Sequence, residues 1–328
     1  MKYRSVSDMN SDILKNIHRL PPDLDLIVGI PRSGLLAANL LALLGNVRLT
    51  DFDSYLERRV YSSGITKADG MRTVRSGPQK VLVIDDSINT GQAMTDVRRR
   101  FAAAGLQDTV IFGAVYGTKP DHSEVDIVFE IVSQPRIFQW NFMHHTTLLQ
   151  SCVEIDGVLC HHPSEEENDD GAAYVTFLTE ARPLYNMTHP IGTLVTSRLE
   201  KYRPQTEAWL ERIGVHYEKL VMLDLPSKAE KQRLSSQVSF KADYYRKSDA
   251  VLFIESENRE AQTIARRSGK PVMCLESQTL IEPSMGAILL SVAKAGPTVQ
   301  GLRTVKQGAR SVLGSHRYEA LKKRLWLS

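Results

Sequence analysis

The chain has 328 residues, 42% apolar and 24% charged, with 20 Gly, 14 Pro and 3 Cys. At ~150 residues per domain this leaves room for about two domains, and the ordinary composition excludes collagen-like, coiled-coil and wholly disordered chains. Three cysteines cannot build a disulfide framework, MKYRSVSDMN offers no secretory apolar region, and the longest apolar stretch, Leu35 to Gly45, falls short of the ~20 residues that span a bilayer. A soluble cytoplasmic chain without a transmembrane segment is expected. The net charge of +3 is unevenly placed: residues 281–328 hold eight Lys/Arg against Glu282 and Glu319, so a +6 tail offsets −3 over the first 280 residues.

In chain order, an N-terminal helix is placed around Ser11–His18, and Leu24–Ile30 reads as a buried strand followed by the loop PRSG and a helix from Leu35 to Leu44. Val81–Ile84 is a second apolar run, followed by DDSINTGQ and a helix over Ala93–Ala104 that Gly105 stops; Val110–Tyr116 and Val125–Val132 read as further strands. The pattern restarts near residue 150, with strands at Ser151–Ile155, Thr193–Thr196, Lys219–Leu223, Ala250–Ile254 and Pro271–Leu275. Helices at Gln205–Ile213 and Asn258–Ser268 end at Gly214 and Gly269. Strands alternating with helices predict α/β architecture: two successive Rossmann-like parallel-sheet domains, 1–150 and 151–280, and a basic C-terminal tail, 281–328. The aromatic-rich segment Gln134–Gln150 lies at the seam.

VLVIDDSINTGQAM at 81–94 delivers a strand whose end presents Asp85 and Asp86, and then a loop of small and hydroxyl residues opens a helix. Backbone amides can approach phosphate oxygens closely in such a loop, and paired carboxylates suit sugar hydroxyls or a hydrated Mg²⁺. The segment resembles the 5-phosphoribosyl 1-diphosphate (PRPP) motif of type I phosphoribosyltransferases. The resemblance implies that Asp85 and Asp86 hold the ribose hydroxyls, that Ser87, Asn89, Thr90, Gly91, Gln92 and Ala93 cradle the 5-phosphate, and that Mg²⁺ assists. Upstream, VGIPRSGLLAA stands where that family carries its diphosphate loop, over Ile30, Pro31, Arg32, Ser33 and Gly34. Between them, Arg58, Arg59, Lys67, Arg72 and Arg75 fall where the family has a mobile loop that closes over the anionic substrate; Arg58, Arg59 and Lys67 are the catalytic candidates there. The implied reaction displaces diphosphate from C1 of the ribose through an oxocarbenium-like transition state, with PRPP or a related phosphorylated sugar or nucleotide as partner. Candidates for the acceptor-binding hood are the N-terminal helix and Phe138, Trp140, Phe142, His144 and His145, whose other reading is an interdomain packing cluster. A homodimer is what the family suggests.

CVEIDGVLC at 152–160, GTLVTSR with Thr196 and Ser197, Lys241 in SFKADYY and Glu255-Ser256 in FIESE follow one another in the order of the haloacid dehalogenase-like phosphatase motifs. That resemblance implies a phosphate site of Glu154, Asp156, Thr196, Ser197, Lys241, Glu255 and Ser256, with Mg²⁺ on Glu154, Asp156 and Glu255. Two positions depart from the family: Glu154 stands for the nucleophilic Asp, and Ser256 for an acid. The extra methylene misplaces an attacking oxygen that must lie in line within ~3–3.5 Å. Three readings stay open: an impaired phosphatase that still binds its ligand, an active variant, and a structural remnant. The acidic run Glu165–Asp170 reads as a solvated loop.

The tail segment HRYEALKKRLWL makes a short basic amphipathic helix, suited to docking on the protein itself, to nucleic acid or to an anionic membrane surface. The preferred function is a PRPP-dependent phosphoribosyl transfer to an unidentified acceptor, with the second domain acting on or recognising the product. The alternatives are a toxic effector of a bacterial anti-phage, retron-like system held in check by a nucleic-acid or protein partner, and a catalytically silent nucleotide-sensing regulator.

Overall fold

A computed structural model describes residues 1–61, 77–185, 187–234 and 237–283. Lys67, Arg72 and Arg75 and the basic tail from 284 onward lie outside the described residues. The chain divides into two compact units, 1–140 and 141–328.

The first unit contains β1 (Lys2–Arg4), α1 (Val6–Asn16), β2 (Leu26–Gly29), α2 (Gly34–Gly45), β3 (Arg48–Asp51), α3 (Phe52–Leu56), β4 (Lys80–Ser87), α4 (Gln92–Ala103), β5 (Thr109–Gly117), β6 (Ile127–Ile131) and β7 (Arg136–Phe138). Five strands form a parallel sheet in the order β3-β2-β4-β5-β6, and β1 pairs with β7 in a separate parallel ribbon. Successive residues of β4 serve opposite faces. Leu82 and Ile84 enter the core beneath α1 and α2, while Val81 and Val83 enter the one beneath α3 and α4. Both faces are covered, which is why the strand is an unbroken apolar run with no polar alternation. α1 starts at a capping box in which Ser5 and Asp8 exchange side-chain and backbone hydrogen bonds. α2 ends where Asn46 turns left-handed at φ 48°.

The second unit contains β8 (Ser151–Val153), α5 (Ala172–Glu180), β9 (Ile191–Leu199), α6 (Arg203–Arg212), β10 (Tyr217–Leu223), α7 (Lys228–Leu234), α8 (Gln237–Lys247), β11 (Leu252–Glu255), α9 (Asn258–Ser268), β12 (Val272–Cys274) and β13 (Thr279–Ile281). Its sheet runs β10-β9-β8-β11-β12-β13, parallel except for the β12–β13 pair. No helix among the described residues is long and apolar enough to cross a membrane.

The α/β class and the two parallel sheets match the sequence expectation, and the differences are local. The second unit begins at Asn141 and not at 151, because the turn Thr146–Gln150 packs against β9, where the carbonyl of Leu149 lies over the bare Cα of Gly192, and the turn Phe142–His144 packs against Thr146–Gln150. β4 runs on to Ser87, since its pairing with β5 continues past the apolar run to Ser87↔Tyr116. β1, β3, β7 and α3, of three to five residues each, are too short to show a period. The acidic run is only partly a solvated loop: Asp169 accepts from the amides of Gly171 and Tyr174 at the start of α5, and Asp170 accepts from the Tyr202 hydroxyl.

Candidate functional site

Numbered within its own sheet, the first unit has strand order 2-1-3-4-5. Connections leave β2 and β4 for opposite faces, and a crevice opens at their carboxyl ends, where open α/β sheets bind ligands. Two loops line it. The one after β2 is pinned at its start by the Ile30 amide donating to Ile84 O at 3.0 Å, and it contains a cis Pro31–Arg32 peptide. Pro31 and Arg32 are exposed. Gly34 sits so close to β4 that a Cβ would come within 2.9 Å of both Ile84 O and Asp85 Oδ1, so only glycine lets the two loops meet. The loop after β4 turns at Gly91, at φ 81°, where the Glu124 side chain packs over the bare Cα. Asn89, Thr90, Gln92 and Ala93 are exposed around the amino end of α4. Ser87 stays in the strand, half-buried.

Asp86 joins the loops. It is buried, and its two oxygens accept from Ser33 Oγ at 2.7 Å and from the Trp140 indole Nε1 at 2.8 Å. Asp85 Oδ1 accepts the Asp86 amide at 2.8 Å. Burial, together with the Asp86 charge beside it, holds the Asp85 carboxyl well above the usual carboxylate range. Trp140 ends a stack in which its ring lies 4.8 Å from Phe138, and Phe138 lies 5.3 Å from Tyr116. The Tyr116 hydroxyl donates to Asp12 of α1 at 3.1 Å. Arg136, also buried, donates to the carbonyl of Ile88 inside the phosphate-type loop at 2.8 Å. Of the aromatic seam, Phe138 and Trp140 belong to this unit, while Phe142, His144 and His145 belong to the next.

Of the basic candidates, Arg58 is not brought to this crevice. Arg58 pairs with Asp108 at 2.9 Å, and Asp108 also accepts from the Tyr55 hydroxyl and the Gln79 amide. Gln79 and Asp108 lie at the amino edge of the parallel sheet, six and seven residues before Asp85 and Asp86, or about 20 Å at ~3.3 Å per strand residue. Arg59 is exposed and turned onto Glu57.

In the second unit the strand order, again counted within the sheet, is 3-2-1-4-5-6, and the crevice falls between β8 and β11. Lys241, on the buried face of α8, places Nζ 2.6 Å from Glu154 Oε2, 2.7 Å from Glu255 Oε2 and 2.6 Å from Glu260 Oε2. Burial works against that ammonium, but the three carboxylates outweigh it and hold the group well above the ordinary lysine value. Burial also raises Glu255; attraction to Lys241 is countered by Glu154 and Glu260, and its carboxyl is pushed up to about 7. Asp156 faces away from this cluster, onto the fully buried guanidinium of Arg198, with Nη2 at 2.7 Å and Nε at 3.1 Å. Burial raises the Asp156 carboxyl, but the Arg198 charge and hydrogen bonds overcome that and set it below the usual range. Thr196 is buried and accepts the Arg198 amide at 3.2 Å. Ser197 Oγ is buried without a hydrogen-bond partner, and the Ser197 carbonyl accepts from Lys231 at 2.9 Å. Ser256 Oγ lies 3.1 Å from His162 Nε2 and 3.1 Å from Glu255 Oε1.

The carboxyls expected to hold Mg²⁺, those of Glu154, Asp156 and Glu255, face side-chain cations here. Two of them are closed on an ammonium and the third on a guanidinium, and among the described residues no group of three His, Cys, Asp or Glu is spaced to hold a metal ion. Sequence reasoning missed Arg198, Lys231 and Glu260. A readable signal existed for two of them: Arg198 is two residues beyond Thr196 and so shares its strand face, and Glu260 stands in the first turn of the helix that follows Glu255.

No family model matches the chain, and no curated protein matches it either. Solved structures similar to it include the xanthine-guanine-hypoxanthine phosphoribosyltransferase of Helicobacter pylori, at 12% identity and a TM-score of 0.31, covering 42% of this chain and 90% of that one. The purine phosphoribosyltransferase of Pyrococcus horikoshii Ot3 matches at 18% identity and 0.29, over 43% and 93%. A hypothetical protein from Neisseria gonorrhoeae with bound ppGpp matches at 14% and 0.31, over 43% and 89%.

Proposed function

We propose that the first unit binds PRPP or a closely related phosphorylated sugar in the crevice between β2 and β4 and transfers its phosphoribosyl group to an acceptor. The observation that carries this reading is the meeting of two phosphate-type loops at one strand end. Gly34 lies against Ile84 and Asp85, and Ser33 donates to Asp86 at 2.7 Å. In this reading the amides of Arg32, Ser33 and Gly34 face the departing diphosphate, and the turn at Gly91 with the first turn of α4 takes the 5-phosphate. The partly exposed Asp85 is the carboxyl available to ribose hydroxyls, since Asp86 already accepts from Ser33 and Trp140. As C1–O breaks, the electron pair leaves with the diphosphate and positive charge spreads over C1 and the ring oxygen. The acceptor then bonds to C1. The chain's task is to stabilise the leaving group and keep water out. Asp85 would be the residue of this chain to hold a Mg²⁺ ion carried by the diphosphate, and the ion would supply charge neutralisation there.

Calorimetric titration of PRPP with MgCl₂ tests the binding. Heat and thermal protection that vanish in Asp85→Asn/Asp86→Asn support it, whereas no response in the wild-type chain sinks it. The occupied Asp86 favours a second reading, a module that binds the phosphorylated sugar without turning it over. Release of diphosphate in the presence of candidate nucleobases separates the two.

In the second unit, the strand order, Thr196 at the end region of β9 and the unpartnered Ser197 hydroxyl support a haloacid dehalogenase-like phosphate-binding fold. Hydrolysis by that family's route needs a free carboxylate to attack and a protonated Asp156 to serve the leaving group. Here Glu154 is held by Lys241, and Asp156 is kept ionised by Arg198. We therefore assign this unit a ligand-binding role without phosphatase turnover. Phosphate release from p-nitrophenyl phosphate above that of a Glu154→Gln chain would overturn the assignment.

A further inference from the structure

At the carboxyl ends of β8 and β11 two acids close on one lysine. Glu154 Oε1 accepts the Ile155 amide at 2.9 Å, and Oε2, buried and without a hydrogen-bond partner, is ion-paired with Lys241 at 2.6 Å. Glu255 Oε1 accepts the Ser256 amide at 2.8 Å, and Oε2 accepts from Lys241 at 2.7 Å. Glu260 adds a third carboxylate to the same ammonium at 2.6 Å. An ammonium has three N–H donors, and here it faces three carboxylates. Nearby, Asp156 is neutralised by Arg198, and Lys231, itself lowered by burial, stands close enough to feel Glu154 and Asp156. The crevice thus holds four carboxylates against three cationic side chains, all of them supplied by the chain.

We infer that Lys241 is the resident cation of the second unit, occupying the place that a divalent metal would need, and that this unit works metal-free because a lysine is built into its carboxylate cradle. A Mg²⁺-sized ion requires carboxylate oxygens at ~2.0–2.1 Å in near-octahedral array. Here one oxygen of Glu154 and one of Glu255 lie on the ammonium, at 2.6 and 2.7 Å, and no group of three His, Cys, Asp or Glu among the described residues is spaced to hold such an ion. Removing the ammonium while keeping the stem leaves three carboxyl groups that had shared one cation, and a divalent ion is then expected to take the vacated place. This inference does not rest on the PRPP reading of the first unit.

The test uses the full chain carrying Asp85→Asn, so that the acid at the first unit's strand end does not contribute, and MnCl₂ followed by the electron paramagnetic resonance of free Mn²⁺. The parent is expected to show no Mn²⁺ site that depends on Glu255. Lys241→Met is expected to gain one Mn²⁺ per chain and to lose it again when Glu255→Gln is added. Two results overturn the inference: Mn²⁺ binding by the parent that Glu255→Gln abolishes, or a folded Lys241→Met chain that gains no site. If Lys241→Met is unfolded without metal, recovery of its circular dichroism on adding MnCl₂ counts as the gain. Failure to recover at saturating MnCl₂ counts against it.

Discussion

The indole of Trp140 donates to Asp86 at 2.8 Å, so the last ring of a three-membered aromatic stack is hydrogen-bonded to an acid of the strand that carries the candidate sugar site. Trp140→Phe keeps a ring on Phe138 but leaves Asp86 buried with Ser33 as its remaining side-chain donor. Hydrogen bonds to charged groups contribute ~1.5–3 kcal/mol. A loss of that size is expected in urea unfolding, together with weaker thermal protection by PRPP. Unchanged stability would show that the bond is not formed in solution.

Gly34→Ala places a methyl carbon 2.9 Å from the Ile84 carbonyl and Asp85. Backbone has to move to relieve the clash, at a cost of ~1–3 kcal/mol. PRPP protection is expected to fall further than stability does, because the displaced segment is the one proposed to face the diphosphate. Calorimetry on the folded variant reads the two effects separately.

Arg58→Ala should leave PRPP binding unaltered, since its guanidinium is tied to Asp108 at the far edge of the sheet. The arginine is 54% exposed but its partner Asp108 is only 2% exposed; with the Tyr55 hydroxyl and the Gln79 amide still donating to that carboxylate, a loss of ~1–3 kcal/mol is expected. A large fall in PRPP affinity would place this arginine in the site after all.

Arg198→Leu strands a carboxylate whose side chain is only 16% exposed, and breaking such a buried pair costs ~3–5 kcal/mol. Adding Asp156→Asn should restore much of it, which a double-mutant comparison of denaturation midpoints would show. The pair also shapes the acid limb. Asp156 has its folded pKa below the unfolded value of 3.8, so its contribution is present above that value and is lost as pH falls through the lower, folded one.

Glu255 has the opposite sign. Its carboxyl is raised from 4.5 to about 7, so folding takes up a proton between these values, and the second unit loses stability as pH rises across that window. The slope is at most ~1.4 kcal/mol per pH unit. Glu255→Gln should flatten it, as read by thermal unfolding at a series of pH values from 4.5 to about 7.

Long apolar strands and periodic helices were legible in the sequence. Asn258–Ser268 forms the predicted helix end to end, because Gly269 at φ 72° stops it, and the strand ending at Ile84 is recognisable from burial on both faces. The ribbon of β1 and β7 was not legible. Three residues carry no period, and their pairing joins segments more than 130 positions apart.

By itself the sequence determined the class of the fold, two α/β units each presenting acids at strand ends, since strand and helix periodicities and glycine stops are local properties. It also determined the loops around Gly34 and Gly91, because glycine is required wherever backbone must approach a neighbour or turn left-handed. Tertiary structure alone decided what the charges do. The sequence placed Arg58, Asp86, Asp156 and Lys241 in one list of charged candidates. Folding sent Arg58 to the wrong end of the sheet, closed Asp86 on Ser33 and Trp140, turned Asp156 onto Arg198, and set Lys241 among three glutamates. A charge acts through the partners that lie within a few ångströms of it, and those partners come from distant stretches of the chain.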